Sequence, residues 1–84
     1  MNSKHQKTLE AIFDKPERSD INWFDIEKLF IGLGGKVSER EGSRIAVLLK
    51  GRIAVFHRPH PKKETDKGAV KSVRKFLLNA GIKA

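Results

Sequence analysis

The sequence predicts an α+β domain: a three-stranded antiparallel sheet with helices packed on one face, in the order α-α-β-β-β-α. Three observations lead there. Apolar residues recur at helical spacing near both ends of the chain. After Gly34-Gly35 the apolar period shortens from about 3.6 to 2, and Lys50-Gly51 separates two β-rich runs as a two-residue turn would.

In order along the chain, Leu9, Ile12 and Phe13 share one face of a first helix over Ser3–Phe13, with Ser3 as its candidate cap, and Asp14-Lys15-Pro16 ends the pattern. Residues 16–22 are polar and read as a linker. Asn22 or Asp20 caps a second helix carrying Trp23, Ile26, Leu29, Phe30 and Leu33, and one of Gly34-Gly35 supplies the left-handed residue that closes it. Trp23 opens that apolar stripe and is read as core; Phe24 is out of phase and is placed against the first helix. Lys36–Arg40 is a short polar strand, Glu41-Gly42 a turn, and Ser43–Leu49 and Arg52–His57 complete a meander. Thr65 or Asp66 caps a last helix with Val70, Val73, Phe76, Leu77 and Ala80 on one face and Gly81 as its stop. Residues 1–21 are thus an N-terminal helix and linker ahead of a domain over residues 22–84.

Counting back from the Lys50-Gly51 turn sets the register. Leu49 opposes Arg52, Val47 opposes Ala54 and Ile45 opposes Phe56; on the other face Leu48 meets Ile53, Ala46 meets Val55 and Arg44 meets His57. The bulkier face, with Ile45, Val47 and Phe56, is assigned to the core under the helices. The opposite face is then too apolar to stand bare in water without a partner.

Eighty-four residues give one modest core, so an active site lies on its outside. Lys and Arg number 18 against 10 acids, a net charge of +8; acids crowd the first half and cations follow from Arg40 onward. That balance points to a polyanionic partner. The chain has no cysteine, which excludes a disulfide framework and a thiolate nucleophile and fits a reducing compartment. Residues 1–7 lack the apolar run of a signal peptide and no segment is long enough to cross a bilayer, so the expectation is a soluble, cytoplasmic protein with no membrane partner.

The segment richest in chemistry is Phe56-His57-Arg58-Pro59-His60-Pro61-Lys62-Lys63. Its prolines restrict Arg58 and His60, so the segment should hold a shape. Imidazole titrates near neutral pH, and histidine among cations can move protons beside a bound phosphate. His5 lies on the polar N-terminal end and receives no role. His57 and His60 have no cysteine nearby, and the nearest acid, Glu64, sits among lysines, so no metal and no other cofactor is expected. Lys62, Lys63, Lys67, Lys71, Arg74 and Lys75 continue the positive charge onto the last helix, where 67, 71, 74 and 75 read as an exposed track for phosphates. The same cations would attract an acidic protein surface.

The helix-and-meander order is that of a double-stranded RNA-binding domain (dsRBD-like), and residues Asn22 to Lys83 resemble the HicA toxins of type II toxin-antitoxin systems. The resemblance is carried by Gly42-Ser43 at the opening of a strand, by Arg58-Pro59-His60-Pro61-Lys62-Lys63 after the third strand, and by Gly68-Ala69-Val70-Lys71-Ser72-Val73-Arg74 in a helix ending Asn79-Ala80-Gly81-Ile82. It implies a metal-independent endoribonuclease, an mRNA interferase that cleaves messenger RNA and inhibits translation, and that is neutralised in complex with a HicB-type antitoxin.

Members usually carry a catalytic histidine one or two places after the Gly-Ser pair, where this chain has Arg44 and Ile45. The cross-strand count puts His57 opposite Arg44 on the same face, which restores an imidazole near that place. The expected catalytic residues are therefore His57 and His60, one as general base on the ribose 2′-hydroxyl and the other as acid to the leaving oxygen. The expected RNA-binding residues are Arg44, Arg58, Lys62, Lys63, Lys67, Lys71 and Arg74. The rival expectations are an RNA-binding module that does not cut and a protein-interaction domain that uses the apolar outer sheet face.

Overall fold

A computed structural model describes all 84 residues, Met1–Ala84. The elements are α1 (Ser3–Phe13), β1 (Ile21–Asn22), α2 (Trp23–Gly32), β2 (Lys36–Glu39), β3 (Arg44–Leu49), β4 (Arg52–His57), β5 (Glu64–Thr65) and α3 (Lys67–Asn79). The helix-and-meander layout predicted from the sequence is present, with β2, β3 and β4 adjacent in one antiparallel sheet. Two short strands were not foreseen. β1 and β5 form a separate antiparallel pair, Ile21 with Thr65 and Asn22 with Glu64, and two residues are too few to carry an alternating pattern.

Side-chain oxygens start each helix. Asn2, not Ser3, caps α1, accepting from the His5 amide at 2.7 Å. Asn22 caps α2 through Phe24 N at 2.9 Å, and Asp66 caps α3 through Ala69 N at 2.8 Å. Both later helices stop by the same device. Gly34 (φ 91°) and Gly81 (φ 82°) take the left-handed conformation; Gly35 N then donates to Phe30 O, and Ile82 N to Leu77 O, each at 2.9 Å. Gly35 is needed for a second reason: a Cβ there would stand 2.8 Å from Phe30 O and 3.1 Å from Leu48 O.

The register is the one counted from the turn, Arg44 with His57 through Leu49 with Arg52. Lys50 and Gly51 both have positive φ, 52° and 77°, the geometry a tight hairpin turn requires. Ile45, Val47, Leu49 and Phe56 face the helices and are buried. Phe56 lies 5.8 Å, centroid to centroid, from each of Trp23, Phe30 and Phe76, so one aromatic ring joins both helices to the sheet. On the outer face Leu48, Ile53 and Val55 remain 42%, 70% and 53% exposed. The N-terminal segment joins the same core: α1 packs on α2 and α3 and buries Leu9, Ala11 and Ile12 in one cluster with the residues above. Helix α1 therefore shares one core with the elements of residues 22–84.

Candidate functional site

The site begins at the end of the β3–β4 hairpin. Arg44 and His57 are register partners there, both exposed on the outer sheet face. The ladder continues one residue further, with Arg58 N donating to Ser43 O at 2.7 Å. On its other side His57 borders a groove of about 320 Å³ between β4 and the first turn of α3, lined by Trp23, Val55, Phe56, Gly68, Ala69 and Ser72, with Asp66 beside them. The Pro-His-Pro loop follows. Its far end is tied down by Trp23 N, which donates to Lys63 O at 2.8 Å, and by the β1–β5 pair. His60 sits on the exposed part of this loop with Lys62 and Lys63, and Lys67, Lys71 and Lys75 extend the exposed charge along α3.

Two of the expected RNA-binding cations are placed differently from the sequence reading. Arg58 is directed inward. Its Nε and Nη2 donate to Glu27 Oε2 and Oε1 at 2.8 and 3.1 Å, and its Nη1 and Nη2 donate to Glu39 Oε1 and Oε2 at 2.9 and 3.0 Å. These bonds, to Glu27 first and Glu39 second, raise the guanidinium pKa above its already high ordinary value. Arg74 is 9% exposed and is not part of the surface track on α3. It lies between α3 and the end of α1, donating to Ile12 O and Asp14 O at 3.4 Å and to Glu17 Oε1 at 2.8 Å. That hydrogen bond holds the Glu17 carboxyl below its ordinary value of 4.5.

The residue the sequence reading missed is Glu27, which is 8% exposed. A carboxylate removed from water needs donors, and Glu27 has Arg58 twice and Trp23 Nε1 once. A signal for it was available: Glu27 falls four residues after Trp23, on the inward stripe of α2, where a charge is stable only if paired. Arg74 obeys the same logic, four residues after Val70 on the buried face of α3.

The arrangement therefore offers two exposed imidazoles, His57 at the end of β4 and His60 on a loop anchored at both ends, with one arginine across the strand pair from the first and a run of exposed lysines leading away. Chemically, exposed imidazoles are groups that can accept and donate protons near neutral pH, and exposed cations are groups that can hold phosphates. No three His, Cys, Asp or Glu side chains are gathered so that they could hold a metal ion, and no helix is long and apolar enough to cross a membrane.

Comparison with known proteins gives one match. A family model described as HicA toxin of bacterial toxin-antitoxin matches residues 23–82, from the first residue of α2 to just beyond the end of α3. No curated protein and no solved structure matches the chain.

Proposed function

The chain belongs to the HicA toxin family of bacterial toxin-antitoxin systems, and from that premise we propose that it is a cytoplasmic endoribonuclease that cleaves messenger RNA without a metal. The observation that carries this reading is the cross-strand pairing of Arg44 with His57 at the mouth of a tethered, histidine-bearing basic loop. The family's usual histidine after Gly42-Ser43 is absent, and His57 supplies an imidazole from the neighbouring strand on the same face.

The reaction is an in-line displacement. His57 accepts the proton of a ribose 2′-hydroxyl, the 2′-oxygen attacks phosphorus, and the bond from phosphorus to the 5′-oxygen breaks as His60 donates a proton to the leaving oxygen; the products are a 2′,3′-cyclic phosphate and a 5′-hydroxyl. The two histidines can exchange these roles. Arg44 faces the charge that grows on the phosphoryl oxygens. Lys62, Lys63, Lys67 and Lys71 hold flanking phosphates, while Arg58 and Arg74 keep to their carboxylates.

A partner protein is part of the same reading. Membership of a toxin-antitoxin family brings an antitoxin, which we take to be of the HicB type. The outer sheet face, with Leu48, Ile53 and Val55 exposed beside Arg44 and His57, suits a protein better than RNA: aliphatic side chains offer no stacking platform for bases. Incubating the purified protein, His57→Ala and His60→Ala with end-labelled RNA tests the proposal. Wild type should yield fragments ending in cyclic phosphate, and each variant should lose at least about a hundredfold in rate. Full activity in both variants removes the histidines from the chemistry, and shifted but intact RNA with wild type identifies a binding module instead.

A further inference from the structure

We propose that Arg58 is a positioning residue: clamped between Glu27 and Glu39, it fixes the backbone between His57 and His60 and so sets where the two imidazoles stand relative to Arg44. The proposal rests on the nuclease reading above. It begins from the geometry of a single guanidinium. Four hydrogen bonds run from Arg58 to two carboxylates on two different elements, Glu27 on α2 and Glu39 on β2. A guanidinium has five N–H donors, so one remains, and a two-pronged grip on a phosphate is no longer open to this side chain.

The clamp reaches the histidines through the backbone. Arg58 is the residue after His57 and two before His60, and its amide donates to Ser43 O next to Arg44. Side chain and main chain of one residue are thus both fixed at the point where strand becomes loop. Trp23 links the two ends of that loop: its indole N–H donates to Glu27, and its amide donates to Lys63 O. A shift of Glu27 would be felt at residues 58 and 63 together.

The two halves of the clamp are unequal. The Glu27 side chain is 11% exposed and that of Glu39 is 74% exposed. Water can replace Glu39 as a partner but has little access to Glu27, so loss of the inner carboxylate should displace the loop further. Lysine in place of Arg58 keeps the charge but presents a single ammonium, which cannot span both carboxylates in the forked geometry.

The test uses the full chain with Arg58→Lys. Affinity is read with a single-stranded RNA methylated at every 2′-oxygen, which cannot be cleaved. Rate is read with the unmethylated strand at saturation. Imidazole resonances are read by 1H–15N spectroscopy with His5 as the internal reference. The expected result is an affinity within about twofold of wild type with the same salt slope, a saturating cleavage rate lower by at least about tenfold, and shifted signals for His57 and His60 but not His5. An unchanged rate with unshifted imidazoles overturns the proposal. So does a weaker affinity with a shallower salt slope, which would make Arg58 a phosphate ligand. If Arg58→Lys does not fold, Glu39→Gln carries the test, with the same pattern at smaller size supporting the clamp and unshifted imidazoles overturning it. If wild type cuts no RNA, the nuclease reading alone fails, and the imidazole signals still decide whether Arg58 positions the loop.

Discussion

The salt dependence of RNA binding should report how many cations are free to meet phosphates, and the structure sets that number. Arg44, Lys62, Lys63, Lys67, Lys71 and Lys75 are exposed and form no ion pair, whereas Arg58 and Arg74 are held by carboxylates. Each neutralised phosphate on a single strand contributes about −0.7 to the slope of log affinity against log salt. Six contacts then give a slope of about −4, a loss of about 300-fold between about 50 and 200 mM salt. Counting Arg58 and Arg74 as well would give a slope of about −6. Fluorescence anisotropy with the 2′-O-methylated strand measures this directly. Lys71→Ala should flatten the slope by about 0.7, while Arg74→Gln should leave it unchanged and lower stability. A slope shallower than about −1, or equal flattening by Arg74→Gln and Lys71→Ala, refutes the reasoning.

Three further outcomes follow from the packing and the ion pairs. Phe56→Ala removes the ring that joins Trp23, Phe30 and Phe76, and urea unfolding should show a loss of about 3–5 kcal/mol; a loss below about 1 kcal/mol would mean that the core closes over the gap. Gly35→Ala should destabilise more than Gly34→Ala, because a Cβ at 35 meets two carbonyl oxygens whereas at 34 it meets open space and costs only the left-handed φ, about 1 kcal/mol. The reverse order in thermal melts would contradict the helix ending described above. The Glu17 carboxyl titrates below its ordinary value because Arg74 bonds it, so its stabilising effect is present above about pH 4.5 and is lost as pH falls through the lowered native value. Glu17→Gln should therefore narrow the difference in stability between neutral and acidic solution, and an unchanged pH profile would show that the pair does not matter to folding.

Much of the fold was legible because its signals are local. Gly34 and Gly81 mark both helix ends, and the change of period after Gly35 marks the meander. Lys50-Gly51 sets the hairpin register, which in turn brings Arg44 opposite His57. Two features were not legible. The β1–β5 pair joins residues more than forty positions apart and is too short for periodicity to announce. The fate of Arg58 and Arg74 depends on carboxylates 31 and 57 residues away in sequence. The helical stripe marks Arg74 as inward, but no local spacing names its distant partner, and a loop cation such as Arg58 reads the same in a sequence whether it faces water or a buried acid.

The sequence alone determined the order of elements, the face of the sheet that turns inward and the placing of two histidines beside a basic run, because each follows from the spacing of residues along one strand, turn or helix. Only the tertiary structure decided which cations stay available to a polyanion and which are tied to the scaffold. Ion pairing depends on distance in space, and folding brought Glu27, Glu39 and Glu17 to their arginines.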